Sequence, residues 1–137
     1  MSEGASWWVD ANVLLRFLTG DPPELAGLAS RSLERAERDG PPLRVHSVVV
    51  AETVWVLQSF HGYSKGEISD ALVPLLEHPA LRVEGAGVVL GALRTMASNN
   101  VDFADALLAG TARSQGAGVV SFDGDFRKLE IEWREPG

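Results

Sequence analysis

Short apolar runs alternate with amphipathic stretches along this chain, and the two patterns predict different elements. Compact runs such as residues 6–9 and 118–122 are typical of short buried strands. Residues 23–39 instead place apolar side chains every three to four positions, with Arg and Glu between them, and so predict an amphipathic helix. Because strands and helices alternate, the chain is expected to form βαβ units around a parallel sheet.

The bounds of the other predicted helices and strands are set by the same patterns and by Gly, Pro and capping residues at their ends. Ser64 and Glu67 form a capping box that opens one helix, which Pro74 is expected to bend and which closes at His78. The other helices are predicted at residues 12–19, 23–39, 48–60, 88–98 and 102–115, with a short helical segment at 123–129. The strands are predicted at residues 6–9, 43–46, 81–83, 118–122 and 131–133, giving a parallel sheet of four or five strands with helices on both faces.

Length and composition fit one globular domain spanning residues 1–137. Hydrophobic residues make up 45% of the 137 positions and charged residues 23%, which leaves ample material for a core. The early apolar stretch at residues 7–18 is broken by Asp10, Asn12 and Arg16 and is too short to span a bilayer. We therefore expect a soluble, cytoplasmic protein with no membrane partner.

Charge and cysteine content restrict the chemistry. The net charge of −7 argues against a general nucleic-acid binder, because such affinity comes mainly from Lys and Arg. Bound divalent cations would reverse that local charge if several carboxylates converged on one pocket. The chain has no cysteine, so any metal must be held by oxygen or imidazole ligands.

Four acidic residues fall where such a pocket is expected. In open α/β sheets, ligands bind outside the carboxyl ends of the strands. Asp10 directly follows the predicted strand 6–9, and Asp123 follows the predicted strand 118–122. Glu52 is the only acidic or basic residue in a long apolar run and is expected in the first turns of its helix. A buried carboxylate there needs a partner, which a metal ion would supply.

Asp102 and Asp105 stand three apart at the start of a predicted helix and so face the same side. Asp102 is placed to cap the helix, and Asp105 is the better candidate to reach the crevice. Together with Asp10, Glu52 and Asp123 they describe an oxygen-ligand site for Mg²⁺ or Mn²⁺. Each residue alone is more commonly a cap or a favourable charge at a helix start. The convergence of four on one sheet edge favours a catalytic site.

Other polar and aromatic residues leave alternatives open. Asn12 either hydrogen-bonds a ligand carboxylate or caps the helix that it begins. Ser47 and Ser121 are expected to be cap or turn residues. The three histidines share no ligand-like spacing and are interpreted as structural, and the four tryptophans either stack on bases or belong to the core or a dimer surface.

Four segments together resemble the PIN domain, specifically the VapC-type toxins of bacterial and archaeal toxin–antitoxin pairs. They are VDANVLLR at 9–16, AETVWVL at 51–57, DFADALLA at 102–109 and SFDGDF at 121–126. The resemblance implies a Rossmann-like α/β/α sandwich and Mg²⁺- or Mn²⁺-dependent cleavage of RNA. It also implies a homodimer and a cognate antitoxin protein as partner.

Carried over by motif position, the catalytic residues are Asp10, Glu52, Asp105 and Asp123. The resemblance implies that Asp10, Asp105 and Asp123 hold the metal, with Glu52 orienting water and Asn12 as companion to the first Asp. Two ambiguities stay open, since Asp125 competes with Asp123 and Asp102 lies beside Asp105.

Three other classes of protein compete with this interpretation. A receiver domain would show paired acidic residues after the first strand, and a haloacid-dehalogenase-type phosphatase would show Asp-x-Asp where this chain has Asp10-Ala11-Asn12. A catalytically inactive PIN-like RNA-binding or scaffold module would usually have lost a carboxylate.

Overall fold

The computed structural model describes residues 6–137, and helices form most of it. The six helices are α1 (Ala11–Thr19), α2 (Pro23–Asp39), α3 (Ser47–Ser59), α4 (Lys65–Leu76), α5 (Ala86–Asn99) and α6 (Phe103–Ser114). The four strands are β1 (Leu43–Val45), β2 (Leu81–Val83), β3 (Val119–Val120) and β4 (Trp133–Arg134), with a 3₁₀ helix at Gly124–Lys128. The chain therefore has the mixed α/β composition that its pattern predicts.

Local chemistry explains where several helices begin and end. Pro23 opens α2 at the first helical position, where no amide hydrogen is needed, and the Gly40 amide donates to Ala36 at its end. The capping box of α4 is confirmed, because the Glu67 amide donates to Ser64 Oγ at 3.1 Å and the Ser64 amide to Glu67 Oε1 at 2.9 Å. Pro74 lies inside α4.

The strands pair in parallel, as predicted, but they do not form the predicted sheet of four or five strands. Among residues 6–137, β1 pairs with β2, and β3 pairs with β4, as two separate two-stranded sheets. The predicted strand at residues 6–9 makes only an isolated parallel bridge, between Trp8 and Arg44. Each strand has only two or three residues, and no hydrogen-bonded strand pair links the two ladders among residues 6–137.

The burial predicted for residues 6–9 is also wrong in part. Val9 is buried, whereas Trp7 is 57% and Trp8 48% exposed. The core lies instead between the helices and the inward residues of β1 and β2, where Val45, Leu57, Ile68 and Leu93 have no exposed surface. In the part of the chain that the structure describes, no helix has the length and apolar character needed to cross a membrane.

Candidate functional site

The carboxyl groups of Asp105 and Asp123 lie next to each other. Asp105 is the third residue of α6, and Asp123 follows β3 as the N-cap of the 3₁₀ helix. Asp123 is held in place locally: its Oδ1 accepts a hydrogen bond from the Asp125 amide at 2.9 Å, and its own amide donates to Ser121 Oγ at 2.9 Å. The start of α6 and the end of β3 thus build a site from segments that are 18 positions apart in sequence.

The electrostatics of Asp105 reflect this proximity. Partial burial raises the pKa of Asp105, and the neighbouring Asp123 carboxyl raises it further, with smaller contributions from Asp102 and Asp125. Neighbouring carboxyl groups therefore disfavour the ionised form of Asp105 when no cation is bound. Groups with pKa values perturbed in this way cluster at functional sites.

Two lysines distinguish the four aspartates at this site. Lys65 Nζ lies 3.9 Å from Asp102 Oδ1, and Lys128 Nζ lies 3.6 Å from Asp125 Oδ1. Asp105 and Asp123 have no such cationic partner among the described residues. Asp102 occupies the N-cap position of α6 but its side chain makes no capping hydrogen bond. The charge pattern thus favours Asp105 over Asp102 and Asp123 over Asp125.

Asp10 is the side chain that caps α1. Its Oδ1 accepts a hydrogen bond from the Val13 amide at 3.2 Å, which leaves the second carboxylate oxygen for other contacts. Asn12 is therefore not the cap, and it lies exposed in the first turn of α1. The Val9 amide donates to the Arg44 carbonyl at 3.0 Å and so aligns the segment before Asp10 with β1.

Glu52 lies in the second turn of α3 and is exposed, not buried as its apolar neighbours in sequence suggest. The inward face of α3 is formed by Val50, Thr53, Val54 and Leu57. Glu52 instead shares the outward face with Val48 and Trp55, which are also exposed. The predicted burial of Glu52 is therefore wrong, and burial does not require a partner for it, although an exposed carboxylate remains free to meet a substrate.

The donor set fits a divalent cation that keeps most of its waters. Mg²⁺ in proteins is commonly bound through one or two carboxylates, with water in the other positions. Asp105 and Asp123 supply such a pair. Within residues 6–137, no three Asp, Glu or His side chains lie together as a group that could hold an ion. Asp10 and Glu52 do not contribute to the raised pKa of Asp105, so their membership in the site stays a prediction.

The sequence reasoning overlooked the residues that organise this site. Lys65 is 37 positions before Asp102, so the local sequence does not predict their contact. The i, i+3 spacing of Asp125 and Lys128, in contrast, could have predicted their ion pair. His46, not Ser47, caps α3, since its Nδ1 accepts from the Val48 amide at 3.0 Å. Ser121 is a turn residue as predicted.

An acidic pair at the start of a helix and the end of a parallel strand, in a mixed α/β chain, defines a candidate metal-dependent hydrolase site. The sequence model of the PIN domain family matches residues 8–132, which is most of the chain. The chain therefore belongs to the PIN domain family. PIN domains are generally nucleases that use divalent metals. A comparison with curated proteins gives no match.

Proposed function

We propose that this protein is a metal-dependent endoribonuclease whose acidic site comprises Asp10, Glu52, Asp105 and Asp123. The observation that carries the proposal is the pair of neighbouring carboxyls at Asp105 and Asp123, without cationic partners among the described residues, in a PIN domain. The alternative, a catalytically inactive RNA-binding scaffold, would not require this costly concentration of charge. The proposed substrate is RNA.

Asp105 and Asp123, with Asp10, would hold Mg²⁺ or Mn²⁺. When bound, the ion supplies positive charge to the phosphodiester and acidity to a coordinated water. Glu52 would orient the attacking water and accept its proton. Attack at phosphorus breaks the bond to the 3′ oxygen, which takes up a proton, so the products are a 3′ hydroxyl and a 5′ phosphate. Lys65 and Lys128 would hold Asp102 and Asp125 aside from the ion.

The proposed biological role is that of the toxin in a toxin–antitoxin pair, acting in the cytoplasm. It is supported by the four matching sequence segments and by exposed apolar surface suited to protein partners. On α3 and just beyond it, Trp55 and Phe60 meet edge to face with ring centroids 5.5 Å apart, and Phe60 is 72% exposed. Leu25 and Leu28 on α2 are exposed as well. We assign these exposed apolar residues on α2 and at α3 to contacts with a second copy of the chain and with a cognate antitoxin.

Cleavage of a pooled small-RNA substrate by the purified protein tests the proposal. We expect cutting with Mg²⁺ or Mn²⁺, no cutting with EDTA, and loss of about 100-fold or more in rate for Asp10→Asn. Asp70→Asn is the matched control, because Asp70 is an exposed aspartate on α4 that does not contribute to the raised pKa of Asp105. Binding of RNA without cleavage under either metal would overturn the enzyme assignment and support the scaffold.

A further inference from the structure

A cavity of about 560 Å³ is lined in part by Asp10, one of the four carboxylates of the proposed acidic site. Its walls come from the segment before α1, from Val13 on α1 and from Ser32 and Arg35 on α2. The volume is within the usual range for small-molecule sites. The cavity therefore offers a binding space that ends at a candidate catalytic carboxylate.

Trp7 and Trp8 both line this cavity, and of the two the Trp7 indole is available for stacking. Strand alternation places Trp7 on the face of Leu43, which also lines the cavity, and Trp8 on the face of Arg44. The Arg44 guanidinium carbon lies 4.2 Å from the centroid of the Trp8 ring, so Trp8 already has a cation partner. Arg44 Nη2 also donates a hydrogen bond to Glu84 Oε2 at 3.1 Å. Trp7 is 57% exposed and has no ring or cation partner among the described residues.

Arg35 adds a positive charge to the same cavity. It is exposed on α2 and makes no ion pair or side-chain hydrogen bond within residues 6–137. A planar guanidinium recognises phosphate with two parallel hydrogen bonds. The indole suits a base and the guanidinium suits a phosphate, and Asp10 of the proposed metal site lines the same cavity.

We propose that this cavity binds one nucleotide of the RNA substrate, with its base stacked on Trp7 and its phosphate on Arg35. The adjoining phosphodiester would then reach Asp10. An apolar protein segment in the same place would cover the Arg35 guanidinium without giving it a partner, which disfavours such a segment as the occupant. This inference rests on the proposed function. It adds that cleavage depends on an RNA base at one fixed position relative to the scissile phosphodiester.

Kinetics with single-stranded RNA oligonucleotides test the inference in two ways. In wild-type protein, an abasic site is moved one position at a time along the substrate, and one position is expected to raise KM about 5- to 100-fold with little change in kcat. Trp7→Leu should raise KM by a similar factor on intact RNA and abolish the extra penalty of that abasic site. Trp7→Phe, which keeps an aromatic face, should restore most of the affinity.

Arg35→Ala is expected to raise KM about 10-fold. Arg31→Ala is its matched control, because Arg31 is exposed on the same helix but does not line the cavity. A wild-type enzyme that cleaves RNA with a flat abasic scan, and whose Trp7→Leu kinetics are unchanged, refutes the subsite and leaves the nuclease standing. A wild-type protein that neither binds nor cleaves RNA overturns both. The abasic scan uses wild-type protein only, so it tests the nucleotide subsite even if the Trp7→Leu variant fails to fold.

Discussion

At Gly118, adding a single methyl group should disturb the pairing of β3 with β4, which leads to Asp123. Gly118 precedes β3, and a Cβ added there would lie 2.9 Å from the carbonyl oxygen of Glu132 and 3.2 Å from Glu132 Cβ. That carbonyl accepts the hydrogen bond from the Val119 amide at 2.8 Å, so it cannot move without loosening the pairing of β3 with β4. Gly118→Ala should therefore separate the two strands.

The expected magnitude follows from two opposing effects. Forcing extra volume into packed structure typically costs about 1–3 kcal/mol. Replacing Gly by Ala lowers the entropy of the unfolded chain and returns about 0.4–1 kcal/mol. The net prediction is a loss of about 1–2 kcal/mol, which lowers the Tm by about 3–10 °C in a domain of this size. Because β3 leads to Asp123, RNA cleavage should fall as well.

Urea unfolding followed by tryptophan fluorescence measures this loss. Trp133 contributes to that signal from beside β3, since its Nε1 donates to the Ser121 carbonyl at 3.0 Å. Gly91→Ala is the matched control. Gly91 lies inside α5 with open space around its missing Cβ, so this change should stabilise the protein by about 0.5–1 kcal/mol. A Gly118→Ala variant as stable as wild type would refute the reasoning about the contact with Glu132.

Three further predictions concern the acidic site, a cap and the core. Without divalent metal, Asp105→Asn should be more stable than wild type at neutral pH. Because the pKa of Asp105 is raised in the folded state, its ionised carboxyl destabilises the wild-type fold fully at pH values above that pKa. This destabilisation is lost as the pH falls, so the difference in melting temperature between Asp105→Asn and wild type should vanish toward pH 4. Ser64→Ala should cost about 1 kcal/mol in urea unfolding through loss of the α4 capping box. Leu57→Ala, at a fully buried position, should cost about 2–5 kcal/mol in the same assay.

Helix positions could be predicted from the sequence where periodicity and breakers agree. The predicted helix 23–39 coincides with α2, because Pro23 and Gly40 mark both ends of a regular amphipathic pattern. Helix α3 was found in spite of its many valines, but the exposure of Glu52 was not. An apolar run shows that a segment packs against something, and it does not show which narrow face remains in solvent.

Strand pairing could not be predicted to the same degree, because strands of two or three residues carry little pattern. The parallel direction was correct, and the continuous sheet was wrong. In the site, the sequence favours Asp105 and Asp123, with Asp102 and Asp125 beside them as open alternatives. In the structure Lys65 pairs with Asp102, a contact that depends on how α4 packs, and Lys128 pairs with Asp125 within the 3₁₀ helix; the assignment of the metal to Asp105 and Asp123 stays a proposal.

In the proposed function, Asp105 and Asp123 hold the catalytic metal, and Asp102 and Asp125 do not. The direct test compares RNA cleavage in Mn²⁺ by four Asp→Asn variants, one at each position, after melting curves show that all are folded. We expect Asp105→Asn and Asp123→Asn to lose about 100-fold or more in kcat, and Asp102→Asn and Asp125→Asn to stay within about threefold of wild type. Equal losses at all four positions, or full activity of Asp105→Asn, would contradict the claim.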